Sequence, residues 1–304
     1  MSCCGPKSSL PNGKAKEQET QDGVHASVQE YYGKVLKSSK DLKTSACTAT
    51  GRPHPLLVRL MGRLPAEVLD KFYGCGAPVP LGIEGLRVLD LGSGSGRDCY
   101  LAAALVGEAG SVTGVARRHA SEYCQGTLGY KTANMHFVEG HIELLDRAGI
   151  QDESVDIVIS NCVVNLSPDK PRVLEQAYRV LAPGGEMYFS DVYCDRRLPA
   201  EVQKDEDFER LARAAGFDYP VVLQKAPIEI NDSDMRALLG NAHFCSITYR
   251  LFKLPGQLES ACEDYGQIAI YKIIGDRSTH FGAFGKPAPE TEETVTAKMA
   301  GSCC

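Results

Sequence analysis

Three of the twelve cysteines in this chain have surroundings that suit chemistry. Cys162 ends the run Asp156-Ile157-Val158-Ile159-Ser160-Asn161-Cys162, where an apolar strand delivers a thiol into a polar strand end. Cys75 sits between glycines in Tyr73-Gly74-Cys75-Gly76, and Cys47 lies in Thr44-Ser45-Ala46-Cys47. The thiolate is a nucleophile and a soft ligand, so converging cysteines suit a thiophilic substrate or a redox step. A second feature is the run Val88-Leu89-Asp90-Leu91-Gly92-Ser93-Gly94-Ser95-Gly96, which joins a strand to a helix through three glycines on alternate positions. Glycine lets the backbone approach a ligand, and amides at a helix N-terminus offer donors. A dinucleotide loop has the spacing G-x-G-x-x-G, whereas here the third glycine comes one residue early and Arg97 takes the expected place. The spacing points away from NAD.

With Asp90 closing its strand, the run resembles motif I of class I S-adenosylmethionine-dependent methyltransferases. Residues 152–161 and the turn Leu181-Ala182-Pro183-Gly184-Gly185 resemble further motifs of that class; in the turn, Pro stops a helix and Gly supplies the reversal. Glu139-Gly140-His141-Ile142-Glu143 stands where such enzymes flank the adenine, with Ile142 as an apolar face and Glu143 as a polar edge. The cysteine boxes at 43–47, 72–76 and 160–166, with residues 31–36, 92–98, 190–193 and 250–253, closely resemble arsenite methyltransferases over residues 24–274. The glycine-cysteine-glycine box and the serine-asparagine-cysteine strand end are specific, because methyltransferases in general do not share them.

The resemblance implies S-adenosyl-L-methionine as cofactor, held by Tyr73, Asp90, Gly92, Ser93, Gly94, Ser95, Gly96, Ile142, Glu143, Asn161 and Cys162. It implies methylation of trivalent arsenic, from arsenite to methylarsenicals, with arsenic bound by Cys162 and Cys75 and assisted by Cys47. Glutathione or thioredoxin is the implied reductant, and a monomer is expected. Two departures bear on activity. Ala116 stands where the family has an acidic residue that grips the ribose, in a segment, residues 117–133, shorter than the family's helix. After Lys204 the family carries a tryptophan-rich stretch with another arsenic-binding cysteine, whereas this chain has no Trp. A lost charged hydrogen bond costs roughly 1.5 to 3 kcal/mol, so weak cofactor binding and impaired activity are expected. Two other readings share these features: a small-molecule methyltransferase in which the cysteines are incidental, and a non-catalytic thiol protein that binds arsenic or another soft metal. Cys99 and Cys124 read as structural, and the pairs Cys3-Cys4 and Cys303-Cys304 could chelate a soft ion or cycle with a reductant.

The elements that must position these residues follow from pattern. Strands at 88–91, 111–115, 135–138, 155–160 and 186–192 alternate with helices at 97–106, 141–148 and 169–181. That order predicts an α/β, Rossmann-like class I methyltransferase fold: a mostly parallel twisted sheet, helices on both faces, and ligands at the C-terminal strand ends. Two late strands, at 244–253 and 267–274, are expected to close the sheet as an antiparallel pair. Val24, Val28, Tyr31, Val35 and Leu36 fall at helical spacing ahead of a Pro- and Gly-punctuated stretch at 51–80. The expected organisation is a flexible tail (1–21), an N-terminal helical cover (22–80), a cofactor-binding α/β domain (81–195), a C-terminal part completing the sheet and the substrate side (196–275) and a flexible tail (276–304). A net charge of −6 gives no electrostatic reason to expect nucleic acid. No apolar run approaches the roughly 20 residues that span a bilayer, and no signal core is visible, so a cytosolic protein with reduced thiols is expected.

Overall fold

The computed structural model describes residues 53–115, 123–195, 208–230, 233–256, 269–271 and 295–297. Seven strands form the main sheet: β1 (Arg87–Leu91), β2 (Ser111–Val115), β3 (Met135–Val138), β4 (Val155–Asn161), β5 (Leu181–Cys194), β6 (Val221–Ile228) and β7 (Phe244–Phe252). Their order is β3-β2-β1-β4-β5-β7-β6. The first five run parallel, and β7 lies antiparallel between β5 and β6. Strand order reverses at β1, between β2 and β4, and a doubly wound sheet opens its ligand crevice at such a reversal.

Successive strand residues point to opposite faces, and the two apolar cores divide accordingly. Val88, Ile157 and Ile159 pack with α1 (Pro55–Met61), α2 (Ala66–Asp70) and α3 (Arg97–Val106). Leu89, Val158 and Met187 pack with α4 (Lys170–Val180) and α5 (Phe208–Ala214) on the other face. The short α6 (Ser233–Leu239) precedes β7. Because β1 is covered on both sides, its residues 88–91 are all buried, which is why that strand reads as a nearly unbroken apolar run. Helix α4 starts where the Asp169 carboxylate accepts the Arg172 amide and Pro171 supplies a helical φ.

Three expectations are corrected. Residues 141–148 form successive turns rather than a helix: Leu144 bonds back to His141, Arg147 to Leu144 and Gly149 to Asp146. With Gly149 at φ +80°, the stretch is too short to recover the cost of helix nucleation. The partner that closes the sheet beside β7 is β6, not the run at 267–274. Strand β6 mixes Gln224, Lys225 and Pro227 with exposed Val221 and Val222, so it lacks the alternation that announces a half-buried strand. From 267–274 only β8 (Ala269–Tyr271) is described, paired antiparallel with β9 (Val295–Ala297) in a separate two-stranded sheet. Strand β5 also begins earlier than expected, at Leu181, which pairs with Val155. The helix expected at 24–36, Cys47, Ala116, Lys204 and both vicinal cysteine pairs lie outside the described residues. Among the described residues, no helix is long and apolar enough to cross a membrane.

Candidate active site

The glycine loop leaves β1 and enters α3 through Gly96, whose φ of +86° is left-handed backbone that a glycine adopts without a Cβ penalty. The Gly96 amide donates to the Ser93 carbonyl at 2.7 Å and tightens the turn. Gly94, at the exposed tip, also has positive φ. The Ser95 hydroxyl is buried with no hydrogen-bond partner among the described residues. An unmet buried hydroxyl is costly, and a polar ligand seated on the loop would satisfy it. The donor set therefore fits a polar cofactor. Beneath the loop, Asp90 is buried and accepts the Cys99 thiol at 3.1 Å. Burial first, and the nearby Asp98 charge second, push the Asp90 carboxyl well above the ordinary carboxylate range. Burial and Asp90 likewise push the Cys99 thiol well up, so it stays protonated in the core; Cys124 is buried too, with its thiol donating to Asn134.

Cys162 follows β4 at φ +56°, an uncommon conformation for a non-glycine residue and one that concentrates at functional sites. Its amide donates to the Ser190 carbonyl at 2.8 Å, which ties the turn to β5. Its sulfur is bonded to that of Cys75 as a disulfide, with Cα atoms 5.9 Å apart across 87 residues of chain. The Cys75 amide also points at the Cys162 sulfur, at 3.0 Å. Two cysteines distant in sequence thus share one point at the C-terminal end of β4.

A polar clamp holds the Cys75 segment there. Asn161 accepts the Gly76 amide and returns its own NH2 to the Gly76 carbonyl and to Asp98. Arg97 donates to the same carbonyl, is paired with Asp98 at 2.7 Å and lies over the Phe72 ring at 3.2 Å. From β7, the Ser246 hydroxyl donates to the Cys75 carbonyl at 2.6 Å. Gly76 itself presses on β5, since a Cβ there would stand 2.0 Å from the Ser190 hydroxyl oxygen. Beside the sulfurs, Asp191 is buried, and the amides of Asn165 and Val192 each donate to one of its oxygens, at 2.9 and 2.8 Å. Burial outweighs these bonds and pushes its carboxyl up to about 6. The two sulfurs and an Asp191 oxygen lie within 4.8 Å of one another.

The structure thus brings together Cys75, Cys162 and Asn161, with Tyr73 half-buried two residues before Cys75. Ile142 and Glu143 are buried in the turns after β3, where Glu143 accepts the Ser167 hydroxyl. Cys194 and Cys245, half-buried on β5 and β7, do not belong to the sulfur and carboxylate cluster. Sequence reasoning missed Phe72, Arg97, Asp98, Ser246 and Asp191. Adjacent opposite charges opening an otherwise apolar helix were a signal for Arg97 and Asp98, and an acid inside the apolar run of β5 was one for Asp191. Ser246 carried none.

Comparison with known proteins places the chain in a family. The methyltransferase domain family matches residues 83–265. An arsenite methyltransferase of Aquipseudomonas alcaligenes is 50% identical over 272 residues, covering 82% of this chain and 78% of that protein. The human arsenite methyltransferase is 42% identical, covering 76% of this chain and 68% of that protein. The crystal structure of an arsenic(III) S-adenosylmethionine methyltransferase from Chlamydomonas reinhardtii is 55% identical, covers 73% of this chain and 81% of that one, and superposes with a TM-score of 0.68. With the cysteine pair at the strand end and the glycine loop at the sheet's reversal point, these likenesses make the chain a member of the arsenite methyltransferase family.

Proposed function

We propose that this chain transfers a methyl group from S-adenosylmethionine to trivalent arsenic held by the reduced thiolates of Cys75 and Cys162. The observation that carries the reading is the meeting of these two sulfurs at the C-terminal end of β4, in a sheet whose glycine loop leaves the neighbouring strand β1. Soft thiolates suit a soft trivalent centre. The loop residues Gly92 to Gly96, with Asp90, Tyr73, Ile142, Glu143 and Asn161, are the residues that would hold the cofactor. Bound S-adenosylmethionine supplies an electrophilic methyl on a sulfonium, for which thiolate-held arsenic offers a lone pair and carries no proton to remove. The protein's part is placement, which in ideally oriented systems contributes on the order of 7 to 11 kcal/mol of a barrier. The clamp of Asn161, Asp98, Arg97 and Ser246 fixes Cys75 against Cys162, while the left-handed turn at Cys162 sets the second thiol.

The disulfide is the oxidised resting form of this pair. Two electrons from a thiol reductant such as glutathione or thioredoxin open it, giving two cysteine thiols and the reductant's disulfide. Cys47 assists from the N-terminal segment, and the reducing cytosol suits such a cycle. Ala116 in place of an acid weakens the grip on the cofactor ribose.

The test incubates reduced full-length protein with arsenite, glutathione and methyl-labelled S-adenosylmethionine, and separates the arsenic species. Methylarsenicals are expected from the native chain and none from Cys162→Ser. Ala116→Asp is expected to tighten S-adenosylmethionine binding by about one to two decades. Arsenite binding without turnover in both native and Ala116→Asp protein would replace this reading with a non-catalytic thiol binder.

A further inference from the structure

Neither thiolate capture nor methyl donation uses Asp191, although it faces both sulfurs. It is 3% exposed; the backbone amides of Asn165 and Val192 donate to one oxygen each and the Asn165 side chain is a further donor, which of the roughly four lone pairs of a carboxylate leaves one able to accept again. Arsenite enters as As(OH)3. Each cysteine thiol that captures it forms one As–S bond and breaks one As–O bond, and the departing hydroxide leaves with the thiol proton as water. Two cysteines therefore leave arsenic with one hydroxyl, beside a carboxylate whose oxygen lies within 4.8 Å of both sulfurs.

The geometry points to Asp191 as the acceptor of a hydrogen bond from that last hydroxyl, a specificity-determining residue that favours arsenite over its methylated product at the thiol pair. The inference rests on the reading that the reduced pair holds arsenic. The methylated acid CH3As(OH)2, the trivalent form to which two electrons from the thiol reductant return the pentavalent product of lone-pair methylation, gives up both hydroxyls to the same two thiols, as two more waters, and then presents only a methyl group. A buried carboxylate gains no partner from a methyl group and is desolvated by it, so Asp191 discriminates against this ligand. The first methylation is thereby favoured over the second.

The test measures equilibrium binding, without methyl donor, to full-length protein that has been reduced and freed of reductant. Arsenite and CH3As(OH)2 are titrated into native protein, into Asp191→Asn, and into free dithiothreitol as a two-thiol reference. Native protein is expected to prefer arsenite over CH3As(OH)2 by a ratio about tenfold larger than that of the free dithiol. Asp191→Asn, which exchanges a charged acceptor for a neutral one, is expected to lose about fivefold or more in arsenite affinity while CH3As(OH)2 affinity stays within about twofold. A native ratio equal to the dithiol's, or a variant that weakens both ligands alike, overturns the role of Asp191 and leaves thiol capture standing. Failure of both ligands to bind the reduced native protein overturns thiol capture, and the role of Asp191 with it.

Discussion

Asp191 is an acid placed inside a buried strand, and its environment leaves a mark on stability. An unfolded chain ionises such a group near pH 3.9, whereas the folded chain keeps the proton to about 6. As pH rises the unfolded state releases its proton first, so the stability contributed by the protonated form is present below about pH 4 and lost between about pH 4 and pH 6, by up to about 3 kcal/mol. Asp156 works in the opposite sense: the Arg87 hydrogen bond holds its carboxyl below the usual range, so its contribution is present at higher pH and disappears as pH falls through its folded value. Urea unfolding of native protein and Asp191→Asn separates the two. The variant's stability relative to native is expected to rise by about 2 kcal/mol from pH 4 to pH 7, because any lost amide partner is independent of pH and cancels from the slope. A difference that stays flat with pH would show that Asp191 is not the group responsible.

At the scale of elements, the geometry of the cysteine pair comes from a segment laid across the sheet, not from the sheet alone. The stretch from Phe72 to Gly76 lies between α2 and β1, and only Gly76 fits over Ser190, since a Cβ there would sit 2.0 Å from that hydroxyl and 2.4 Å from its carbon. Gly76→Ala is therefore expected to cost about 1 to 3 kcal/mol, the usual range for overpacking, and to shift Cys75 off Cys162. Peptide mapping under mildly oxidising conditions should show the Cys75–Cys162 linkage fall, and the double variant Gly76→Ala with Ser190→Gly should restore it. Full linkage in the single variant would mean that the segment is not seated by this contact. The glycines of the Cys75 box were visible in the sequence; the surface against which one of them presses was not, because Ser190 is more than a hundred residues away.

At the scale of the whole molecule, the main sheet is completed by β6 and β7, which follow α5 in the chain. Leu251, on β7, is fully buried opposite Met187 of β5 and belongs to the same core as Leu174 of α4. Leu251→Ala is expected to destabilise by about 2 to 5 kcal/mol, seen as a lower urea midpoint at unchanged slope. A change below about 1 kcal/mol would mean that β7 is not integral to the core. The same strand carries Ser246 to the Cys75 carbonyl, so folding of the distal sheet and assembly of the thiol site are linked. Much of this was determined by sequence alone. Buried runs fixed β1 to β5, three alternate glycines fixed the strand-to-helix turn, and the cysteine boxes named the two thiols, because each signal is a local period or a local spacing. Only the tertiary structure decided that β6 rather than the run at 267–274 closes the sheet, that residues 141–148 are turns, that Arg97, Asp98 and Ser246 hold the Cys75 segment, and that Asp191 lies beside the sulfurs. Those outcomes depend on register and on contacts between distant residues, and a chain read residue by residue carries no record of which distant neighbour each side chain will meet.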